Sequence, residues 1–367
     1  MINNDKLVVN DNFLLNKKEK LLGEVSLKSK PIRISLNLTG RCNAKCIFCN
    51  LKVSKYYTEE EMTLETFTLI KPFLNSVKHL VFFSATEPLV AKNFKEIYKS
   101  SIGYNAEKYF STNAIALKDS IAELLVTTSL DYLTISIHGS TRESYKKYLG
   151  VDTYDRVIAN IKKLNKFKKI HNSSNPKLRL SFCLMKDNVH ELVDIIRLAS
   201  ELEFSQGVYI RHLLAYSEEM YSQVPSHHID YVKKHLDKAK KVASNLEVPL
   251  CGDLIDELND PLIEGIDRPA CYEPFERMHI ETDGKVRVCP SFSNNEFAGD
   301  LKEQNIDDVW NSELFKLYRK NVNTINQPEG CKNCTGPYIR KYLTHRKDVW
   351  LQKNLDLFVF NRQSKNE

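Results

Sequence analysis

Nowhere in the 367 residues is there a run of about 18 apolar side chains, so the sequence provides no membrane-spanning segment. The first residues, MINNDKLVVNDNFLLNKKEK, are polar and charged and have no apolar signal core, so a cytoplasmic location is expected. No repeat at a fixed period and no low-complexity tract occurs. The net charge of +6 is spread over short lysine runs rather than a basic stripe with interleaved aromatics. That pattern reads as solvated helix faces and makes nucleic acid an unlikely partner. The 42% hydrophobic and 27% charged residues are ordinary values for a globular chain of two or three domains.

The nine cysteines are not ordinary. In a reducing compartment, clustered cysteines point to metal or redox chemistry rather than to a disulfide framework. Cys42, Cys46 and Cys49 form C-x3-C-x2-C in TGRCNAKCIFCN. Cys271, Cys289, Cys331 and Cys334 form C-x17-C, a gap, then C-x2-C. Cys183 lies in an apolar run and reads as core. Cys251 closes LEVPLC.

Short apolar runs (PIRISLNLT, KHLVFFSA, KYFSTN, LDYLTISIHG, KLRLSFCLM and GVYIRHLLAY) alternate with segments of helical spacing. Six such alternations predict a parallel α/β sheet with crossover helices. TLETFTLIKPFLNSV reads as one of those helices, and SHHIDYVKKHLDKAKKVASNL as a long helix leaving the unit. Beyond about residue 252 the pattern changes. MHIETDGKVRVC predicts a hairpin turning at Asp283-Gly284, and a cysteine turn and an amphipathic tail follow. The expected organisation is a polar leader over 1–30, an α/β domain over 31–250, a small cysteine-bearing module over 251–335 and a helical tail over 336–367.

Three thiolates leave a four-metal cluster with one iron open to a further ligand, whereas four thiolates close a site. By spacing alone the front set fits either a [4Fe–4S] cluster or a zinc knuckle with a distant fourth ligand. The back set fits zinc as readily as iron–sulfur.

The C-x3-C-x2-C motif after the first predicted strand, with Phe48 before its last cysteine, resembles the radical S-adenosylmethionine superfamily. FFSATEPL is similar to that family's Gly-Gly-Glu-Pro turn, with Ala85 and Thr86 in place of the glycines. FSTNA resembles its Ser-Thr-Asn-Gly turn, and ISIHG its Ser-Ile-Asp-Gly stretch, with His138 in place of the Asp. The resemblance covers residues 32 to about 215. It implies a partial (β/α)6 TIM-like barrel. Cys42, Cys46 and Cys49 would hold a [4Fe–4S] cluster whose open iron is chelated by S-adenosyl-L-methionine. Phe48, Glu87, Ser111, Asn113 and Ser136 become cofactor-binding candidates, with Glu87 accepting from the methionine ammonium. The family's activity is reductive cleavage of the cofactor to a 5′-deoxyadenosyl radical that abstracts hydrogen from a substrate. A reductant protein such as flavodoxin or ferredoxin is the implied partner.

The back cysteines resemble the start of the SPASM extension. No cysteine follows Cys334, so the match is to its truncated twitch form, with a second, auxiliary [4Fe–4S] cluster on Cys271, Cys289, Cys331 and Cys334. Full thiolate ligation implies an electron-transfer or structural role there. Anaerobic sulfatase maturases carry an Asp directly after the corresponding auxiliary-cluster cysteine, where this chain has Pro290. That substitution argues against their activity.

The reaction expected is dehydrogenation or epimerisation of a small polar substrate such as a sugar, cyclitol or antibiotic precursor. Cys251 is the candidate hydrogen-atom donor, placed at the join between barrel and twitch. Arg211, His212, Tyr216 and Arg287 are further candidates to face substrate. The alternatives are maturation of a ribosomally made peptide, against which the leader is short for a peptide-recognition domain, and a non-catalytic cluster- or zinc-bearing nucleic-acid module.

Overall fold

The computed structural model describes residues 4–49, 51, 58–82, 86–215, 217–252, 262–263, 266–290, 296–328 and 331. Among the described residues the strands in chain order are β1 Arg33–Leu36, β2 His79–Val81, β3 Glu107–Thr112, β4 Tyr132–Ser136, β5 Lys177–Leu184, β6 Val208–His212, β7 Leu250–Gly252, β8 Leu262–Ile263, β9 Ile266–Pro269, β10 Arg277–Ile280, β11 Lys285–Arg287 and β12 Gly299–Asp300. The chain divides into two compact units, one of residues 1–41, 58–110 and 260–337, the other of residues 42–57, 111–259 and 338–367. Among the described residues no helix is long and apolar enough to cross a membrane.

In the first unit β1 lies between β2 and β10 and is parallel to both, with Arg33 opposite His79 on one side and Arg277 on the other. β2 pairs in parallel with β3. β10, β11 and β12 follow as an antiparallel meander. The expected Asp283-Gly284 turn joins β10 to β11, with Gly284 at φ +95°. Ile34, Leu36, Leu80, Met278 and Ile280 are buried to within 1%. Burial of such a side chain stabilises by about 1.5–3 kcal/mol. Phe82, Phe94, Tyr98 and Phe110 make an aromatic cluster beside them, with ring centroids 5.4–6.5 Å apart.

The segment read as a polar leader contains a helix, Asn4–Leu22. Its polar residues are fasteners: Asn12 donates to the Ser76 and Lys30 carbonyls, Asn16 to that of Phe275, and Glu19 accepts from the Lys28 and Ser29 N–H groups. The segment expected as one helix from Thr63 is two, Leu64–Thr68 and Lys71–Leu74. Pro72 explains the break, since it lacks the N–H a continuous helix would use and clashes with the preceding turn.

In the second unit β4, β5, β6 and β7 are all parallel. Their alternation sets the two faces of the sheet. Leu133, Ile135, Leu178, Leu180, Phe182, Val208 and Ile210 form one face and are fully buried. Tyr132, Thr134, Ser136, Arg179, Ser181, Tyr209, Arg211 and Cys251 alternate onto the other. Cys251, expected at the join between barrel and twitch, lies in a seventh parallel strand, β7. Three residues gave too little alternation to be read as a strand from sequence.

Candidate iron–sulfur and S-adenosylmethionine site

The front cysteine loop belongs to the second unit. Its backbone is pinned to the end of the helix Arg142–Leu149, where Lys45 N–H donates to the Leu149 carbonyl at 2.9 Å and Ile47 N–H to that of Tyr148 at 3.0 Å. These carbonyls are among those a helix end leaves without intrahelical partners. Gly150, the left-handed cap of that helix, lets the loop approach. A Cβ at Gly150 would stand 2.4 Å from the Lys45 carbonyl oxygen. Sequence analysis missed Gly150. Its signal was a glycine just past a helical run, which reads as an ordinary cap.

Burial pushes the Cys46 thiol well up, and the thiols of Cys49, Cys42 and Cys183 push it the same way. So many thiols side by side cannot all ionise without a cationic centre, and metal coordination is what deprotonates such a set. Among the described residues no three His, Cys, Asp or Glu side chains converge on a single metal ion. A cubane asks for something different, one thiolate for each of three irons. A loop presenting three soft, mutually crowded donors fits that group.

Asn113 is brought to the loop. Its amide donates to Asn43 Oδ1 at 2.7 Å and lies 3.9 Å from Cys42 Sγ, and its own oxygen accepts from Ile115 N–H. The Phe48 ring meets the His138 ring edge-on, with centroids 4.7 Å apart. His138 Nδ1 accepts from the Cys183 N–H at 2.9 Å, which fixes the proton of the neutral ring on Nε2. Burial, helped by Arg211, pulls its pKa down to about 3, so the ring stays neutral at ordinary pH. In the place of the family's Asp stands a neutral, oriented donor.

Ser136 ends β4, half-buried, opposite Ser181. Cys251 is level with Tyr209 in the next pair of strands, so Ser136, Ser181, Tyr209 and Cys251 lie in one row across the sheet. Cys183 and Arg211 lie two residues further toward the strand ends. Arg211 shares this face, whereas His212 turns to the other and its Nδ1 lies 2.7 Å from the Leu213 carbonyl oxygen. Ser111 is half-buried near the end of β3. Cys183 is buried, as expected. Tyr216 falls outside the described residues.

In the first unit, Glu87 is 3% exposed and begins the short helix Pro88–Val90. Its Oε1 accepts from Leu89 N–H at 3.1 Å, and its own N–H donates to the Arg41 carbonyl. Thr86, in a glycine position of the resembling motif, donates to the Thr39 carbonyl at 2.5 Å and fixes the turn through its side chain. Of the back cysteines, Cys271 is clamped by Asn323, which accepts from its N–H and donates to its carbonyl. Cys289 and Cys331 are buried. Burial, then Glu296, and then these two thiols raise the pKa of the neighbouring Tyr318. Cys334 lies outside the described residues. Arg287 pairs with Glu281 at 2.6 Å and stacks on Phe297, so it serves the hairpin.

The fold is α/β with parallel strands, and its front loop carries three thiols, a donor set that suits an iron–sulfur cluster. Residues 36–199 match the model of the Radical SAM superfamily, and residues 271–335 that of SPASM, an iron–sulfur cluster-binding domain. The chain is a member of the radical S-adenosylmethionine superfamily with a C-terminal SPASM-type domain. Its fold is the TIM-like partial barrel of that group, and its cofactors are two [4Fe–4S] clusters and S-adenosylmethionine. Among curated proteins, a "Probable GTP 3',8-cyclase" of Saccharolobus solfataricus is 28% identical over 298 residues, 74% of this chain and 90% of its own. Its counterpart in Saccharolobus islandicus is 26% identical over 296 residues, with the same coverage. Among solved structures, Streptococcus suis SuiB superposes with a TM-score of 0.64 at 15% identity, over 84% of this chain and 72% of SuiB. The peptide-bound anSMEcpe does so with a TM-score of 0.61 at 16% identity, over 92% and 98%.

Proposed function

We propose that the protein abstracts a hydrogen atom from a small anionic polar molecule, with a nucleotide as the first candidate. The observation carrying this reading is the charge on the polar, largely half-buried face of β4–β7. Arg179 and Arg211 stand among Thr134, Ser136, Ser181, Tyr209 and Cys251, and no carboxylate is among them. Arg179 Nε is buried with no hydrogen-bond partner, and its guanidinium carbon lies 5.7 Å from the Tyr209 ring centroid. Two guanidiniums and an aromatic ring suit a phosphorylated, planar ligand. The name carried by the curated relatives agrees with this chemistry and supplies the test substrate, GTP. The sugar and cyclitol substrates expected from the resemblance have no such support. A peptide substrate is the second reading, prompted by SuiB bound to its precursor peptide SuiA.

When bound, the front cluster supplies the electron that splits S-adenosylmethionine to a 5′-deoxyadenosyl radical. The chain's own groups would hold and shield: Cys42, Cys46 and Cys49 hold the cluster, and Asn113 and Ser136 offer polar contacts to the cosubstrate. Glu87 is proposed as acceptor for its ammonium, and neutral His138 as a fixed donor. Arg179 and Arg211 would bind the substrate anion.

With reconstituted, reduced protein, GTP is expected to stimulate 5′-deoxyadenosine release, and guanosine is not. Replacing Arg211 by Gln removes a charged hydrogen bond worth about 1.5–3 kcal/mol, so substrate-dependent release is expected to fall roughly 10- to 150-fold, mainly through KM. An unchanged KM sinks the anion reading.

For Cys251 the proposed role is return of a hydrogen atom to the substrate radical; the thiyl radical left behind takes one electron from the flavodoxin- or ferredoxin-type reductant protein and one proton from solvent, which restores the thiol. Cys251→Ala is expected to keep cofactor cleavage and lose product. Full product formation by the variant, measured by mass spectrometry, removes the role.

A further inference from the structure

The helix Asn4–Leu22 has two faces that do different things. Val9, Asn16 and Glu19 are 8%, 2% and 6% exposed and fasten it to its own unit. The opposite face is apolar and open: Val8 is 45% exposed, Leu14 61%, Leu15 37%, Leu21 75% and Leu22 66%. These side chains are not scattered. Val8, Leu15 and Leu22 are spaced seven apart on one flank, and Leu14 and Leu21 seven apart on the other. That spacing repeats every two turns and makes a continuous seam for another helix. Between the flanks run Asp11 and Lys18, exposed and also seven apart.

We propose that this face docks on the same face of a second copy of the chain, with the two helices antiparallel across a two-fold axis between Leu14 and Leu15. At a rise of about 1.5 Å per residue, antiparallel helices set side by side those residues whose numbers sum to about 29. Leu15 then meets its own counterpart, and so does Leu14. Val8 meets the other copy's Leu22. Along the midline Asp11 of each copy faces Lys18 of the other, so the pairing forms two ion pairs at once. The surface is self-complementary in the sense that closed two-fold symmetry requires.

Charge also selects against the other arrangements. A parallel pair would set Asp11 against Asp11 and Lys18 against Lys18. A membrane surface favours a helix whose apolar face is free of charge, and here a carboxylate sits in the middle of that face.

The test uses the full chain with its clusters, followed by sedimentation velocity over a concentration series. The expected result is a reversible dimer. Leu14→Glu/Leu15→Glu is expected to give monomer throughout, with circular dichroism and iron content unchanged. Asp11→Lys and Lys18→Asp should each raise the dimer Kd about tenfold or more, by placing like charges opposite each other. The doubly reversed Asp11→Lys/Lys18→Asp chain should return to within about threefold of the wild type. This last variant carries the test even if the glutamate variant folds poorly. The proposal is overturned by a wild type monomeric at about 100 μM. Persistence of the dimer in the glutamate variant, or failure of the double reversal to restore what either single reversal lost, also overturns it.

Discussion

Replacing Cys42, Cys46 and Cys49 with Ala is expected to lower the iron of the reconstituted protein from about eight atoms to about four, and to abolish S-adenosylmethionine cleavage. The front loop would supply one thiolate for each of three irons. Cys183, the thiol that also raises Cys46, is held in β5 and is buried. The back set, with Cys271 clamped by Asn323 and Cys289 and Cys331 buried, should keep its four irons in the variant. Iron, sulfide and zinc are measured together. Eight irons in the variant would remove the front assignment. Four irons and one zinc in the wild type would leave the radical chemistry in place and make the back site structural zinc, ending any role for it as an electron acceptor.

Gly150→Ala is expected to cost about 2–4 kcal/mol and to empty the front site selectively, although Gly150 is no ligand. Two costs add. At φ +69° any side chain pays about 1 kcal/mol. The new methyl group would then stand 2.4 Å from the Lys45 carbonyl and 3.0 Å from Lys45 Cβ, so the loop must move. Moving it breaks the Lys45–Leu149 and Ile47–Tyr148 hydrogen bonds that hold the loop carrying Cys42, Cys46 and Cys49. Gly23 provides the control, because it has the same φ of +69° and nothing within 4 Å of its missing Cβ. Gly23→Ala should pay the backbone cost alone, about 1 kcal/mol, and keep all its iron. Urea midpoints and iron content of the two variants decide the matter. Equal losses in both would show that the Lys45 contact does not matter.

Both predictions bear on what was legible at the outset. The six strands read from alternation are all present as β1 to β6. Three thiols within eight residues must lie near one another in almost any fold, and Asp-Gly between two alternating runs turns a hairpin because of backbone preferences alone. The segment expected as a polar leader carries a helix, and its polar residues Asn12, Asn16 and Glu19 give no local sign of their partners. In the fold they satisfy the carbonyls and N–H groups of segments up to 259 residues away. Pro72 split a helix that its apolar spacing had joined.

The sequence by itself settled which sulfurs occur and how they are spaced: three in the front set, where four would close a site, and four in the back set. These are matters of short-range spacing and side-chain identity. Only the tertiary structure decided what surrounds those sulfurs. It brought Asn113 to Cys42 across 71 residues, turned His138 into a neutral donor against Phe48, and laid β10 in parallel beside β1. It also gathered Arg179, Tyr209, Arg211 and Cys251 onto one face. Parallel pairing and register depend on how crossover helices bury the apolar side of each strand, and no local stretch of sequence carries that information.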